Sequence, residues 1–371
     1  MLARLTATKA TTNSAFRWVA FFLPTLGTAF GASTARLTAV LGIGEMAGLM
    51  TLAVGRQLDR GRERILILAS LAFVAVGTVL ATVGNFVVFA VAYFVILIGV
   101  SFCTVGGHAY LSRRVRYARR ARAIGIFETS WASALLIGAP IAAVLIQQFG
   151  WRGPFVLFAV LAVVMLLVLA SAQDESSLLE DVVADGGRTR LTVDAWLVVA
   201  ASSAIAITGL TTVVIAGTWL DDALGVSTGG VGLVAMAFGA AELTASASSA
   251  AVADRAGPSR STRLALGLVL VGLAIMTQAG SSLAVGAFGL LLFFVGFEFA
   301  IVTSFSIVSE AMPSARGRVL AVNNASGTMF RGLGVSSSGA LYEAFGISGP
   351  AGLSAIAAVV AIVLLTVAAR R

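Results

Sequence analysis

Phe149-Gly150-Trp151-Arg152-Gly153-Pro154 is written a second time as Phe345-Gly346-Ile347-Ser348-Gly349-Pro350, 196 residues further on. Working outward, Gly31-Ala32-Ser33-Thr34 returns as Gly225-Val226-Ser227-Thr228 at an offset of 194. Asp59-Arg60 returns as Asp254-Arg255 at an offset of 195, and Arg122 as Arg318 at 196. A near-constant offset across four separated markers is the signature of a duplicated unit. The 371-residue chain is therefore expected to be two halves of like design.

The halves are apolar. Hydrophobic residues make up 58% of the chain and charged residues only 11%, against about a quarter charged in soluble domains. With a mean hydropathy of +0.98 there is too little polar surface to cover a water-soluble core. The net charge of +8 does not point to nucleic acid, because the arginines stand in short clusters between apolar runs, the pattern of cytoplasmic membrane loops. One cysteine, Cys103, and one histidine, His108, exclude a disulfide framework and an ordinary zinc cluster, so no metal is expected. No phosphate-binding loop of the Gly-x-x-x-x-Gly-Lys type is present, and neither ATP nor another cofactor is expected. The N-terminus lacks the pattern of a cleaved signal peptide.

A spanning helix needs about 20 mostly apolar residues. Twelve candidates fall near 5–28, 36–56, 65–83, 86–110, 123–146, 154–171, 194–219, 227–251, 263–280, 283–308, 319–343 and 349–369. The runs are too long and lack the alternation that a membrane barrel requires. Backbone groups in hydrocarbon must pair within their own segment, so the segments are helices. The first is the least apolar, holding Lys9, Asn13 and Arg17. Steps of four residues keep the three near one helix face, suited to a hydrated cavity. The expected fold class is all-α, with twelve transmembrane helices in two pseudo-symmetric six-helix bundles. Residues 1–171 form the first bundle and 193–371 the second. The polar stretch 172–192, with Asp174, Glu175, Glu180, Asp181 and Asp185, is the linker between them.

Arginine placement sets the orientation. If the N-terminus is inside, twenty loop and terminal arginines fall on the cytoplasmic side, and only Arg36 and Arg152 fall outside. That asymmetry puts both termini in the cytoplasm. The expected location is a bacterial inner membrane.

The loop Gly55-Arg56-Gln57-Leu58-Asp59-Arg60-Gly61-Arg62-Glu63-Arg64 resembles the signature loop of the major facilitator superfamily, Gly-x-x-x-Asp-Arg-x-Gly-Arg-Arg, one residue short before its second glycine. The second copy, Ala250-Ala251-Val252-Ala253-Asp254-Arg255-Ala256-Gly257, keeps the spacing but has Ala250 for the first glycine. The resemblance extends over nearly the whole chain. It implies that Gly55, Asp59, Arg60, Asp254, Arg255 and Gly257 belong to a cytoplasmic gate, in which the carboxylates latch the halves together and release them on inward opening. Two departures weaken the likeness to drug/proton antiporters. Val95 stands where those proteins carry an arginine ahead of the glycine matching Gly99, and their helix-five motif survives only as Gly138-Ala139-Pro140.

Seven charged residues fall away from the ends of the expected helices: Lys9, Arg17, Glu45, Glu128, Glu242, Glu298 and Arg331. Each costs about 2.5–3.5 kcal/mol at a helix centre on insertion scales, so each is expected to face a cavity, pair or carry function. Helices three, six, nine and twelve are expected to carry none; the resemblance makes those four the outer supports and makes helix ten a cavity wall. Glu298, mid-helix on ten, is the first candidate for proton coupling or substrate contact, since a carboxyl in a low-dielectric site can bind and release a proton near neutral pH. Glu45 and Glu242 occupy roughly equivalent positions and are either a relay pair or structural. Glu128 is placed in the first turn of helix five, where the helix dipole favours a carboxylate. Asn324 and Arg331, seven residues apart, share a face of helix eleven. His108 is read as interfacial, and Trp18 and Trp131 as possible cavity residues.

The expected function is secondary active transport, not enzymatic catalysis. A small organic solute would move by alternating access, with protons as the coupling ion and export as the leading direction. Proton-coupled uptake of an organic anion or sugar is the second reading, and a non-transporting membrane sensor or assembly factor the third. The expected partners are the solute, protons and the lipid bilayer, with the chain acting as a monomer.

Overall fold

The computed structural model describes residues 1–172 and 191–370, apart from the side chains of some residues near helix ends. The described residues form twelve helical crossings and no strand. They are the first (2–30), second (34–59), third (Glu63–Ala81), fourth (Phe86–Arg114), fifth (117–149), sixth (Arg152–Ala170), seventh (Val193–Asp222), eighth (Thr228–Ala256), ninth (Pro258–Thr277), tenth (Leu283–Glu310), eleventh (Arg316–Phe345) and twelfth (Ser348–Ala368). Ten are long and apolar enough to span a bilayer by composition alone. The two that are not are the first and the eleventh, which carry Lys9 and Arg17 or Asn323, Asn324 and Arg331.

The duplicated turn behaves identically in both halves. Gly150 and Gly346 end their helices at φ 71° and 59°, a region open to glycine at little cost. The Gly150 amide donates to the Ile146 carbonyl at 2.9 Å and the Gly346 amide to Tyr342 at 2.8 Å. Three residues on, Gly153 and Gly349 let the next helix close on the last. A Cβ there would stand 2.9 Å from the Leu145 carbonyl oxygen or 2.3 Å from that of Leu341. The other repeated turn also matches. Gly31 and Gly225 take φ 58° and 64°, and Ser33 and Ser227 then accept from the amides of Arg36 and Gly230, capping the next helix.

The third crossing packs against the fourth and sixth, and the ninth against the tenth and twelfth, the equivalent trio. The halves meet where the first crossing touches the seventh, the second the eleventh, and the fifth the eighth. Small residues set this distance. A Cβ on Gly42 would come within 2.4 Å of the Gly332 carbonyl oxygen, one on Gly239 within 2.4 Å of the Leu136 amide, and one on Gly217 within 2.0 Å of the Phe21 carbonyl oxygen. Close approach through glycine is the usual device for packing helices in lipid.

Three crossings leave the α-helical path at mid-height. The first has a 3₁₀ segment over Val19–Phe22, the second over Met46–Met50, and the fifth a π segment over Ala134–Gly138. Their counterparts, the seventh, eighth and eleventh, are unbroken α-helices. Such segments inside helices tend to mark functional positions. Here they follow directly on Arg17, Glu45 and the Trp131 turn.

Helix starts differ from expectation in ways that matter. The fifth crossing begins at Tyr117, so Glu128 lies three turns inside it and not in its first turn; the dipole argument does not apply. The third begins at Glu63, the sixth at Arg152, and the ninth takes in Arg260 and Arg263. These crossings therefore carry charges at their ends, where the sequence reading had none. The greater part of the expected linker, residues 173–190, lies outside the described residues.

Candidate functional site

Three ion-pair clusters lie within the crossings, and two of them bridge the halves. Arg17, where the first crossing bends, reaches Glu242 on the eighth in a two-pronged pair, Nη1 to Oε2 at 2.9 Å and Nη2 to Oε1 at 2.8 Å. Both side chains are shielded, at 10% and 1% exposure. Arg17 Nη1 also donates to the Trp131 carbonyl at 2.7 Å, and its guanidinium lies 4.1 Å from the centre of the Trp131 indole. This planar fork suits a carboxylate. Glu298 is buried on the tenth crossing.

The second bridge joins Arg331 on the eleventh crossing to Glu45 on the second, Nε to Oε2 at 3.3 Å. It is looser and less enclosed, at 35% and 19% exposure. Glu45 and Glu242 thus hold equivalent places in the two halves, and each meets a cation from the opposite half. They do not contact one another as a relay pair would.

The third cluster lies within the first half. Lys9 Nζ is 2.6 Å from Glu128 Oε2, and His108 Nε2 is 2.6 Å from Glu128 Oε1. Lys9 is buried with its ammonium 4.5 Å from the Phe127 ring centre, while the Glu128 side chain is 42% exposed. Lys9 and Arg17 therefore separate. Two four-residue steps turn the helix by about 80°, enough to aim one at the fifth crossing and the other at the eighth. Asn13, between them, is buried, and its amide has no hydrogen-bond partner among the described residues. On the eleventh crossing Asn324 is exposed, while Asn323 and Thr328 are buried.

Other polar contacts between the halves lie on the face away from the chain termini. The Ala35 amide, in the first turn of the second crossing, donates to Glu343 Oε1 at 2.8 Å, and the Gly339 amide donates to Thr38 Oγ1 at 3.1 Å. Toward the termini, the second crossing's last segment, Thr51–Asp59, packs on the third and fourth crossings of its own half.

At the termini face Gly257 takes φ 81° as it opens the ninth crossing, Gly55 lies within Thr51–Asp59, and Arg60 is exposed. The side chains of Asp59, Asp254 and Arg255 lie outside the described residues. Sequence reasoning missed Glu63. It is fully buried, with Arg113 Nε 2.8 Å from one oxygen and Arg114 Nη1 3.6 Å from the other. Its signal was present: the single acid in the basic run Arg60–Arg64. His108 is drawn onto Glu128 and is not a free interfacial group, while Trp18 is wholly buried and only Trp131, at 38%, is open to solvent.

The sequence model of the Major Facilitator Superfamily matches residues 10–212, more than half of the chain. The chain belongs to this superfamily. It is 25% identical over 252 residues to an uncharacterized MFS-type transporter, YwfA, of Bacillus subtilis (strain 168). The match covers 64% of this chain and spans 60% of that relative's length. Among solved structures, a D-xylose-proton symporter superposes with a TM-score of 0.77 at 15% identity, covering 97% of this chain and 96% of that one. A bacterial homolog of the human lysosomal transporter Spinster, inward-facing and unoccupied, gives 0.75 at 15% identity, with 100% and 95% covered. At such identities these likenesses establish the fold alone: a multi-pass arrangement of two pseudo-symmetric six-helix bundles.

Proposed function

We propose that the chain is a proton-coupled secondary transporter that exports a small organic solute across a bacterial inner membrane. The observation that carries this reading is the enclosed Arg17–Glu242 bridge that joins the halves, together with a further buried carboxyl, Glu298, in the second half. An ionised carboxylate holds a guanidinium through charge-assisted hydrogen bonds, and protonating Glu242 would remove that charge. The same group of residues spans the two halves. Parting the halves there breaks the Arg17–Glu242 bridge, and protonating Glu242 loosens it. Proton occupancy and access are thereby linked, which is what coupling requires.

The moving units are residues 1–171 and 193–371, joined by 172–192, and the chain works as a monomer. The arginine asymmetry places both termini in the cytoplasm. In that orientation the contacts between Ala35 and Glu343 and between Gly339 and Thr38 close the outer face. Asp59 and Asp254 with their neighbouring arginines would latch the inner face in the opposite state. Lys9, Asn13, Glu128, Asn324 and the Arg331–Glu45 bridge line or brace the path. The resident groups need no metal or cofactor.

A second reading is proton-coupled uptake of a sugar or organic anion, favoured by the likeness to a D-xylose-proton symporter. Everted vesicles with a pH-sensitive dye separate the two, since an exporter releases protons when solute is added. An importer instead accumulates solute in whole cells until an uncoupler is added. Glu298→Gln is expected to fold normally and to lose uphill transport. Unchanged uphill flux in that variant removes Glu298 from the mechanism, and ligand binding without flux in the unaltered protein would mark a sensor.

A further inference from the structure

The first crossing carries a line of polar side chains that its two ion pairs leave incomplete. Lys9, Asn13 and Arg17 follow at four-residue steps, each about 6 Å further along the helix and about 40° around it. At one end Lys9 Nζ holds Glu128 at 2.6 Å, and Glu128 holds His108 at 2.6 Å. That end is open, with His108 40% and Glu128 42% exposed. Ionisable groups within a span face protein or water-filled space rather than lipid. At the other end Arg17 holds Glu242, which is 1% exposed.

Asn13 stands between them. It is wholly buried, and neither Nδ2 nor Oδ1 has a hydrogen-bond partner among the described residues. Thr6 Oγ1, seven residues earlier and on the same side of the helix, is likewise buried without one. A buried amide is ordinarily bonded to protein or to ordered water, and a buried water needs several polar partners. They are at hand. The Lys9 ammonium has N–H donors beyond the one aimed at Glu128. Arg17 keeps its Nε, since Nη1 and Nη2 serve Glu242 and the Trp131 carbonyl. Cys103, the other titratable group in this region, is buried on the Thr12 side of the helix, about 100° from Asn13.

Resting on the transporter reading above, we propose that Asn13 positions ordered water that carries protons from the open Glu128–His108 pair to the enclosed Glu242. The transfer balances. Glu242 takes a proton from the water, the Glu128–His108 pair replaces it, and solvent refills the pair. The hydroxide formed in passing stands between the Lys9 ammonium and the Arg17 guanidinium, which favour its charge. The proton that arrives removes the charge holding Arg17, so the route ends at the contact between the halves. Asn13 itself neither gains nor loses a proton; it is a positioning residue.

The test uses the purified full-length protein in detergent and the fluorescence of Trp131, whose indole lies 4.1 Å from the Arg17 guanidinium. A stopped-flow acid jump from above neutral pH follows the loosening of Arg17 as Glu242 takes up its proton. Trp131→Phe identifies the signal, and Glu242→Gln is expected to abolish it. Asn13→Leu is the deciding variant. Leucine has the branching of asparagine and strands no protein partner, so the variant is expected to fold. It should slow the change by at least about tenfold, the rate equivalent of one lost hydrogen bond to a charged group, with the final amplitude unchanged. Asn13→Ser keeps a hydroxyl and leaves room for water, and should restore the rate. His108→Gln, at the open end, should also slow the change, and decides the matter if Asn13→Leu does not fold. An unchanged rate in Asn13→Leu, or equal slowing in Asn13→Ser, overturns the route and leaves the proton reading of Glu242 standing. A Trp131 signal that persists in Glu242→Gln, or no signal in the unaltered protein, refutes that reading and the route with it.

Discussion

Replacing Arg17 with methionine removes the most enclosed cation that ties the halves together. It strands Glu242, 1% exposed. Stripping one partner from a buried pair costs about 3–5 kcal/mol, because the survivor is left charged and dry. Most of that penalty belongs to the stranded carboxylate, so the double variant Arg17→Met/Glu242→Gln should recover much of the loss. The Arg331–Glu45 bridge is a built-in control. It spans the same two halves, but its atoms are 3.3 Å apart and its side chains 35% and 19% exposed. Screening by water holds such a pair to about 0.2–1 kcal/mol. The assay is a pair of double-mutant cycles, each using reversible unfolding in mixed micelles. The Arg17–Glu242 coupling should exceed that of Arg331–Glu45 by about 2 kcal/mol or more. Equal coupling energies, or a single Arg17→Met cost below about 1 kcal/mol, would show that burial does not set the strength of the bridge.

Other consequences are as direct. Gly153→Ala and Gly349→Ala should each destabilise the fold by about 1–3 kcal/mol, the usual cost of overpacking, with the larger loss at Gly349, where the clash distance is 2.3 Å against 2.9 Å; unfolding midpoints decide the order. Glu343→Gln weakens a charge-assisted bond to the start of the second crossing, worth about 0.3–1 kcal/mol, and should raise the population open at the face away from the termini, read by labelling of a cysteine placed at Ala35. Gly239→Val should act in the same direction and more strongly, since the added carbon meets Leu136 backbone; unchanged labelling would place the moving interface elsewhere. Lys9→Met should cost less than Arg17→Met in the same unfolding assay, because Glu128 keeps His108 and is 42% exposed.

The fold was legible because bilayer physics acts on long stretches. Twelve apolar runs and a repeated turn survive errors of several residues, and the repeat of Phe149–Pro154 at Phe345–Pro350 corresponds to a repeat of backbone geometry. Membership of the charged set was legible too, since each residue is conspicuous in an apolar run. Partner choice was not. Lys9 and Arg17 share a helix and nearly a face, yet an accumulated turn of about 80° is enough for them to pair with Glu128 and Glu242 in opposite halves of the molecule. Glu63 was hidden by a boundary placed two residues late. The 3₁₀ and π segments leave no local mark beyond Pro24 and Pro140, because tertiary packing at close glycine contacts selects them.

The most direct test of the account is a pair of distances between spin labels across the halves, one on the face away from the termini at residues 33 and 346, the other on the termini face at residues 61 and 258. Shifting the proton occupancy of the site by pH, in unaltered protein and in Glu298→Gln, should lengthen one distance while shortening the other, and only in the protein that keeps Glu298. Distances that stay fixed, that change together in one direction, or that respond equally in Glu298→Gln would contradict a proton-linked site between two moving halves.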